Sequence, residues 1–374
     1  MNELMRIMGY TAPLTASLFC LGLLTVRRFA TSGTYCRIKQ DLLDVMAIFY
    51  AVMAVNWVQP LLYIYCPEVY AHESVIYFVE LMLTQVLFYH IVYKITSVEE
   101  QNSFPRIHYA VIGVFGMAFA GWSLLIPYDV RLALAATGEM QAGYGAYSML
   151  SIHKLELRGI YTIIYGILCI RRLLRYRKTI LEYSADQARS SLEWLYSLII
   201  LTLVFAPLPM TAFFIPNRAL ATSLVPMFWG TAYIVLFMVL CYNMLAGNYV
   251  MILPEKQEHK KDRWHRHLAK TDFEAHMHRD KPYLKPKLKI TDLTAHLGIN
   301  RAYLSGFINK EYGMNFSRYI NQQRMKELER LHANPEYDKL SEVELVLKAG
   351  FSSYYGYRSF MRAEEKLKKR PFVR

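Results

Sequence analysis

Residues 288–313 have the sequence LKITDLTAHLGINRAYLSGFINKEYG, and this stretch decides how the C-terminal third of the chain folds. Its first half predicts a short helix that has Thr291 as its N-cap and buries Leu293 and Leu297. Gly298 follows the last apolar residue, at a position where glycine commonly ends a helix. The stretch therefore begins with one short amphipathic helix and a tight turn.

The second half of the same stretch predicts another helix, from an Asn300 cap to Gly313. Its apolar side consists of Leu304, Phe307 and Ile308. Two short helices joined through a glycine turn match the helix-turn-helix unit, whose second helix enters the major groove of DNA. The pattern thus predicts a DNA-binding function.

The chain beyond Gly313 continues the helical pattern. NFSRYINQQRMKELERLH predicts a longer helix from about Ser317. Its inner face is predicted to be Tyr319, Ile320, Met325 and Leu328. A second helix-turn-helix unit is predicted in SEVELVLKAGFSSYYGYRSFMRAEE, with one helix up to Ala349, a turn at Gly350 and another helix from about Ser353.

These stretches resemble a known family. LKITDLTAHLGINRAYLSGFINKEYGMNFSRYINQQR resembles the first half of the AraC/XylS DNA-binding domain, with its leucine-rich helix, glycine turn, YLS helix and YIN-x-x-R. AGFSSYYGYRSFMR resembles the second half, and together the match covers roughly residues 265–374. The resemblance implies two helix-turn-helix units bridged by the 317–331 helix. It also implies sequence-specific regulation of transcription.

The resemblance also implies which residues meet DNA. On the first recognition helix the base-facing residues would be Ala302, Ser305, Gly306 and Asn309, while Arg301 and Lys310 would meet phosphate. On the second they would be Tyr354, Tyr355, Arg358 and Ser359. Among these, Arg358 has the forked donor that discriminates guanine strongly. The small residues of the first helix imply close docking with little specificity.

Several positions depart from the family pattern. Val346 replaces a small alanine, and Tyr357 and Met361 replace two phenylalanines. The C-terminal EEKLKKRPFVR lacks the usual closing motif, so we expect a looser second unit. An alternative is that the whole region is a small all-α interaction domain that never touches DNA.

The preceding two-thirds of the chain is apolar. In the 374-residue chain 54% of residues are hydrophobic, 14% are aromatic and only 20% are charged, which is too apolar for a typical soluble globule. Most of the apolar stretches approach the roughly 20 residues needed to span a bilayer. We predict seven spans, at about 7–26, 43–65, 74–95, 108–126, 152–171, 195–215 and 224–246. The similarity to membrane-tethered bacterial regulators here is one of hydropathy alone.

The charges of the short loops predict orientation. Alternate loops carry twelve Lys/Arg against two, which places the N-terminus outside and, with seven spans, the C-terminal region in the cytoplasm. A cleaved signal peptide is disfavoured because Arg27 and Arg28 follow the first apolar run rather than precede it. We therefore predict a multi-pass protein of the bacterial inner membrane.

Charge also separates the two parts of the chain. There are 17 Lys/Arg and 14 Asp/Glu up to Leu253, but 26 and 16 from Pro254 onward, so the tail carries +10 of the net +13. Such a basic region favours a polyanionic partner. Residues 251–287 are predicted to be a charged linker with a short helix that buries Leu268, Phe273 and Met277. Four histidines at i, i+2 spacing do not favour a metal site: His265, His267, His276 and His278.

Polar residues within the spans are candidates for sensing. We single out Glu80 and His90 in the third span, because an ionisable group in lipid tends to face a cavity or a partner. The alternative role is hydrogen bonding between helices. The sixth span carries Pro207 and Pro209, where a kink is predicted. No catalytic or phosphate-binding motif is present, so neither an enzyme nor a cofactor is predicted.

Together these patterns predict an all-α protein, with a seven-helix transmembrane bundle followed by a cytoplasmic double helix-turn-helix domain. The predicted domains are 1–250, 251–287 and 288–374. The predicted function is a membrane-anchored transcription regulator whose partners are double-stranded DNA, the lipid bilayer and an unknown signal, with a homodimer left open. We expect the signal to pass through the seventh span and the 254–287 linker. The alternative is a receptor or transporter-like protein whose tail binds a protein partner.

Overall fold

The structure is a computed structural model that describes residues 2–31, 37–97, 103–206, 217–252 and 268–369. Within these ranges the chain is all-α and contains no strand. The first eleven helices are α1 Asn2–Ala30, α2 Arg37–Tyr65, α3 Pro67–Ile95, α4 Ile107–Leu124, α5 Tyr128–Thr137, α6 Gly145–Ile152, α7 Lys154–Ile180, α8 Gln187–Ser190, α9 Glu193–Phe205, α10 Asn217–Thr222 and α11 Val225–Ala246. They are followed by α12 Lys270–Asp280, α13 Ile290–Leu297, α14 Arg301–Tyr312, α15 Phe316–His332, α16 Glu342–Lys348 and α17 Tyr354–Lys368.

The helices form two compact units. The apolar unit comprises Met1–Thr96, Asn102–Leu173 and Glu193–Gly247, and the C-terminal unit comprises Ser97–Gln101, Leu174–Leu192 and Asn248–Arg374. Residues 174–192 therefore pack with the C-terminal unit, although they precede α9 in sequence and lie inside the predicted 1–250 domain.

Among the described residues, five helices of the apolar unit are long and apolar enough to span a membrane. They are Glu3–Ala30 within α1, then α2, α3, α4 and α11. The chain is thus a membrane protein by helix length and composition. Helix α9 is apolar but shorter, and Pro207 and Pro209 lie outside the described residues. The predicted fifth span lies in α7, whose first turns bury Lys154 and Glu156, so the count of seven stays a prediction.

Helix α3 provides much of the core of the apolar unit. It packs against α2, α4 and α5, and Leu81, Ile91 and Val92 on it are fully buried. Helices α1 and α11 approach closely where Gly9 meets Gly230, since a Cβ on Gly230 would collide with the Gly9 carbonyl oxygen. A glycine is required there because no larger residue leaves room for the facing backbone.

The C-terminal unit contains the first predicted helix-turn-helix as α13 and α14. The Asn300 cap is confirmed, because its side-chain oxygen accepts a hydrogen bond from the Tyr303 N–H at 2.7 Å. The glycine turns are also confirmed: Gly298 and Gly313 both have left-handed backbones, with φ of 69° and 66°. Leu304 and Ile308 are fully buried, as predicted.

The Thr291 cap is wrong. Helix α13 begins at Ile290, and the extended residue before it is Lys289. The Lys289 N–H donates to Asp292 Oδ2 at 2.9 Å. Asp292, the third residue of the helix, thus satisfies the backbone amide of the residue before the helix, as in a capping box. The Asp292 carboxylate thus fixes the start of the helix two residues earlier than a cap at Thr291 would.

The remaining helices of the C-terminal unit follow the predicted order. The short helix of the linker is α12, and it buries Phe273 and Met277, while Leu268 just before it is also buried. Helix α15 begins at Phe316 with Asn315 as its cap. The second predicted unit is α16 and α17, capped by Ser341 and Ser353.

A compact core holds the second unit together. Val346, whose size suggested looser packing, is fully buried with Leu345, Ala349, Phe351 and Phe360. This core continues onto α15 through Leu328 and Leu331. Tyr357 is only partly buried and packs against the core from outside.

Candidate nucleic-acid interface

Helix α14, the first predicted recognition helix, has an apolar face buried by α13 and α15 and an outer face that carries all six predicted DNA-contacting residues. Leu304 and Ile308 lie inside. Ala302, Gly306, Asn309 and Lys310 are exposed, while Arg301 and Ser305 are half-buried. Because residues four apart share one face of a helix, the six form two parallel strips.

The strip Ala302, Gly306 and Lys310 is open. These residues line a groove of about 410 Å³ together with Lys270 and Glu311. A Cβ built on Gly306 would meet nothing within 4 Å. This strip thus offers a close approach for a partner backbone, with a lysine at its end.

The other strip, Arg301, Ser305 and Asn309, contacts the segment that follows α7. Ser305 Oγ donates to Glu182 Oε2 at 2.8 Å, and Asn309 Nδ2 donates to the same oxygen at 3.3 Å. The Arg301 guanidinium lies 5.9 Å from the centre of the Tyr183 ring, within cation–π range. Three predicted DNA contacts are therefore already occupied by residues of this chain.

The segment that provides these contacts, residues 181–186, is built into the C-terminal unit by its backbone. The Leu181 carbonyl accepts from the Ser317 N–H at 2.9 Å, and the Tyr183 carbonyl accepts from the Ile290 N–H at 2.9 Å. The Ala185 N–H donates to the Leu288 carbonyl at 3.1 Å. Hydrogen bonds of this kind satisfy buried main-chain groups, so the segment is an integral part of this unit.

The same segment reaches the second helix-turn-helix unit. Ser352 Oγ, just before α17, donates to Asp186 Oδ1 at 2.7 Å. Tyr183, Ser184, Ala185 and Asp186 are all buried. Within the C-terminal unit, residues 181–186 thus connect the two predicted helix-turn-helix units, which contain α14 and α17.

Arg324 on α15 fixes this junction. It is 1% exposed, and all five of its N–H donors are used. They donate to the carbonyls of Tyr283, Lys285, Pro286 and Ala185 and to Asn321 Oδ1, at 2.8–3.3 Å. Burial lowers the pKa of the Arg324 guanidinium to about 10, which leaves it charged at neutral pH. The YIN-x-x-R pattern therefore places a structural arginine at its end.

Helix α17, the second predicted recognition helix, exposes its predicted contact residues differently. Tyr354, Tyr355 and Arg358 are exposed and Ser359 is half-buried, while Gly356 and Phe360 face the core. One turn further on, Arg362 and Lys366 are also exposed. This helix therefore presents large side chains and several cations on one side.

The two predicted sensing residues lie on α3 but do not come together. Ten residues on one helix separate them by about 15 Å. Glu80 is buried, and its Oε2 has no hydrogen-bond partner among the described residues. His90 Nδ1 is 2.8 Å from the Tyr109 hydroxyl, and its ring stacks on Phe104 at 4.0 Å. The contacts of His90 fit the alternative of a hydrogen bond between helices.

Metal binding finds no support in the described ranges, where no group of three or more potential ligands is present. His276 Nδ1 instead pairs with Asp280 at 2.8 Å, and His265 and His267 lie outside the described residues. Sequence reasoning missed Glu182 and Arg324, the two side chains that organise the interface. The YIN-x-x-R motif marked Arg324 as distinctive, but no local signal marked Glu182.

No family model, curated protein or solved structure matches the chain.

Proposed function

We propose that this protein is a membrane-anchored regulator of transcription, in which the C-terminal unit binds DNA through α14 and α17. The observation that carries the proposal is the pair of capped helices, α14 and α17, each with its apolar side buried and its predicted contact residues on the outer side. Helix-turn-helix proteins place such a helix in the major groove. The tail's charge of +10 would supply the attraction to phosphate.

The apolar unit would anchor the regulator and sense the signal. Its helices are long enough to cross a bilayer, and the loop charges favour a cytoplasmic C-terminal unit. The chain passes between the apolar unit and the C-terminal unit within α7, again between Leu192 and Glu193, and again after α11. A signal would therefore reach the DNA-binding helices through these covalent connections, of which the predicted linker is one.

Residues 181–186 suggest how the first recognition helix is controlled. The Glu182 carboxylate occupies Ser305 and Asn309, and it would repel a DNA phosphate approaching the same strip. DNA binding by α14 would then require this carboxylate to withdraw. Until it does, only the strip with Ala302, Gly306 and Lys310 is available.

The test uses the whole protein in nanodiscs, because residues 181–186 complete the fold of the C-terminal unit and a fragment starting in the linker would lack them. Sequences selected from a random duplex library would be measured by electrophoretic mobility shift over a range of salt concentrations. We expect a preferred sequence whose affinity falls steeply with salt, with a slope of about −0.9 per phosphate contacted. Equal affinity for selected and scrambled duplexes would refute sequence-specific binding.

The alternative, a receptor whose tail binds a protein, gives a different result in the same assay. It predicts no retention of the selected duplex at moderate salt. It also predicts that Arg358→Ala leaves any residual DNA binding unchanged.

A further inference from the structure

The apolar unit contains a partly enclosed cavity of about 110 Å³. Its walls are rich in aromatic side chains, which include Trp57, Tyr70, Tyr77, Tyr147 and Trp229. All the lining residues belong to the apolar unit. Cavities of a similar size, about 150 Å³, accept a ligand as large as benzene when they are apolar.

The charged residues of the cavity wall are all cations: Arg131, Lys154 and Arg158. Lys154 is only 5% exposed, and its Nζ lies 4.7 Å and 5.1 Å from the ring centres of Tyr70 and Tyr77. Within the described ranges no carboxylate lies within salt-bridge distance of Lys154. The neighbouring carboxylate on α7, Glu156, pairs with His153 instead, at 2.8 Å. A buried ammonium without a counter-ion is costly, so the cavity is prepared for a negative charge.

Unsatisfied donors in the cavity wall point the same way. Five lining residues bury a polar atom that has no partner among the described residues: Asn56 Nδ2, Trp57 Nε1, Arg131 Nε, Ser151 Oγ and Trp229 Nε1. Four of these atoms can only donate a hydrogen bond, and the hydroxyl can do so as well. Each unpaired buried donor costs about 1–3 kcal/mol, so five in one cavity call for an acceptor-rich occupant.

The cavity also has a consistent position along the helices. Tyr63 and Tyr70 flank the loop after α2, Arg131 and Ser151 belong to the region between α4 and α7, and Leu220 precedes α11. These are the three Lys/Arg-poor regions that the charge pattern predicts to lie outside the cell. An occupant would therefore enter from the outer side.

We propose that this cavity binds a small carboxylate with an apolar body, about the size of one six-membered ring, that arrives from outside the cell. The carboxylate is held by Lys154 with Arg131 or Arg158, and the indole and amide N–H groups complete its hydrogen bonds. The aromatic walls take the apolar body. A phospholipid headgroup shares the anionic chemistry, but the volume of the cavity favours a small free molecule.

The inference that this ligand is the signal rests on the proposed function, whereas the inference that the cavity binds it does not. Lys154 and Arg158 lie in the first turns of α7, and the last residues of α7 belong to the C-terminal unit, just before Glu182. Ligand contact with α7 is thus the route by which occupancy changes DNA binding.

The test measures binding of radiolabelled phenylacetate to the full-length protein in phosphatidylcholine nanodiscs, by equilibrium dialysis and by tryptophan fluorescence. We expect saturable binding, with phenylacetamide at least about 10-fold weaker because it lacks the charge. Equal affinities for phenylacetate and phenylacetamide would overturn the proposal. So would the absence of saturable binding by phenylacetate and by two other carboxylates, acetate and hexanoate, up to about 10 mM. Displacement of phenylacetate by phosphatidylglycerol in the disc would overturn it too, by identifying a lipid headgroup as the occupant.

Two variants separate binding from folding. Lys154→Met is expected to weaken phenylacetate at least about 10-fold while raising the melting temperature of the ligand-free protein, because it removes a buried charge without a counter-ion. Trp229→Phe keeps an aromatic side chain but removes the indole N–H, one of the unpaired donors, so affinity should fall. Lys94→Met is the matched control, since Lys94 pairs with Asp41 at 3.5 Å and does not line the cavity. Unchanged phenylacetate affinity in both Lys154→Met and Trp229→Phe would refute the site.

The functional arm adds phenylacetate to the DNA mobility shift assay. A change in DNA affinity that disappears in Lys154→Met supports a signalling role. If phenylacetate binds but DNA does not, the cavity proposal stands and the proposed regulator function is rejected. If DNA binds but phenylacetate does not, the regulator function stands and the cavity proposal is rejected.

Discussion

Helices α14 and α17 of the C-terminal unit present opposite kinds of surface. Helix α14 has small residues at Ala302 and Gly306, and its polar strip is held by Glu182. Helix α17 exposes Tyr354, Tyr355 and Arg358. If the unit binds DNA as we propose, the difference predicts a division of labour, in which α14 docks closely under control of the segment after α7 and α17 discriminates bases.

The largest effect is expected where the two helices are joined. Arg324→Met would remove a buried charge-assisted donor from four carbonyls at once, and we expect a loss of about 3–5 kcal/mol in the stability of this unit. Amide hydrogen exchange on α15 in the full-length protein would then be about 10²- to 10⁴-fold faster. Arg330→Met on the same helix is the control, since Arg330 is largely exposed and contacts only Glu327 in the described structure. Equal effects of the two would contradict the role of Arg324.

Base discrimination is expected to depend on α17. Arg358→Ala should lower affinity for the selected duplex by about 1–3 kcal/mol and relax the preference at one base pair. Arg362→Ala, one turn further along, should instead weaken all duplexes alike and reduce the salt slope by about 1. Mobility shifts with single-base variants of the duplex distinguish the two. If Arg358→Ala keeps the base preference at every position of the duplex, another residue must provide the base discrimination.

Close docking is expected to depend on Gly306. Since a Cβ there has open space, Gly306→Ala should stabilise α14 by up to about 1 kcal/mol through helix propensity. DNA affinity should nevertheless fall, because the methyl group lies on the strip that approaches the groove. Thermal melting and mobility shift are measured on the same sample. Improved stability with unchanged affinity would mean that DNA does not approach this strip.

The smallest effect is expected at the contact that covers the other strip. Glu182→Gln removes a carboxylate from Ser305 and Asn309, and we expect a rise of a few-fold in DNA affinity, equivalent to about 0.5–1 kcal/mol. Glu336→Gln makes the same charge change on the turn after α15 and serves as the control. A fall in affinity, or an equal rise in both variants, would remove Glu182 from the control of α14.

The comparison also shows which features a sequence reveals. The cap at Asn300 and the turns at Gly298 and Gly313 are local, since each depends on residues within one helical turn. They were therefore predictable. The prediction of a cap at Thr291 was wrong because the neighbouring Asp292 carboxylate accepts a hydrogen bond from the Lys289 N–H and fixes the start of the helix before Thr291. Local patterns predict that a helix is present more reliably than they predict its first residue.

The organisation of the interface was not predictable, because it depends on distant residues. Glu182 and Ser305 are 123 positions apart, and the Ala185 carbonyl and Arg324 are 139 apart. Nothing in the composition of residues 181–186 marks them as part of a DNA-binding unit. In the apolar unit, hydropathy predicted the apolar helices but not the cavity, whose donors come from several helices.

The insertion of residues 181–186 limits how such a protein can be activated. A protease that cut between Met251 and Leu268 would leave α12–α17 without any covalent link to the segment that joins their two halves. The released fragment would have to keep that segment by affinity alone or lose the partners of Ser317, Ile290 and Arg324. Cleavage and diffusion to the chromosome is thus a poor route for this architecture. For the proposed regulator, the promoter would have to come to the membrane.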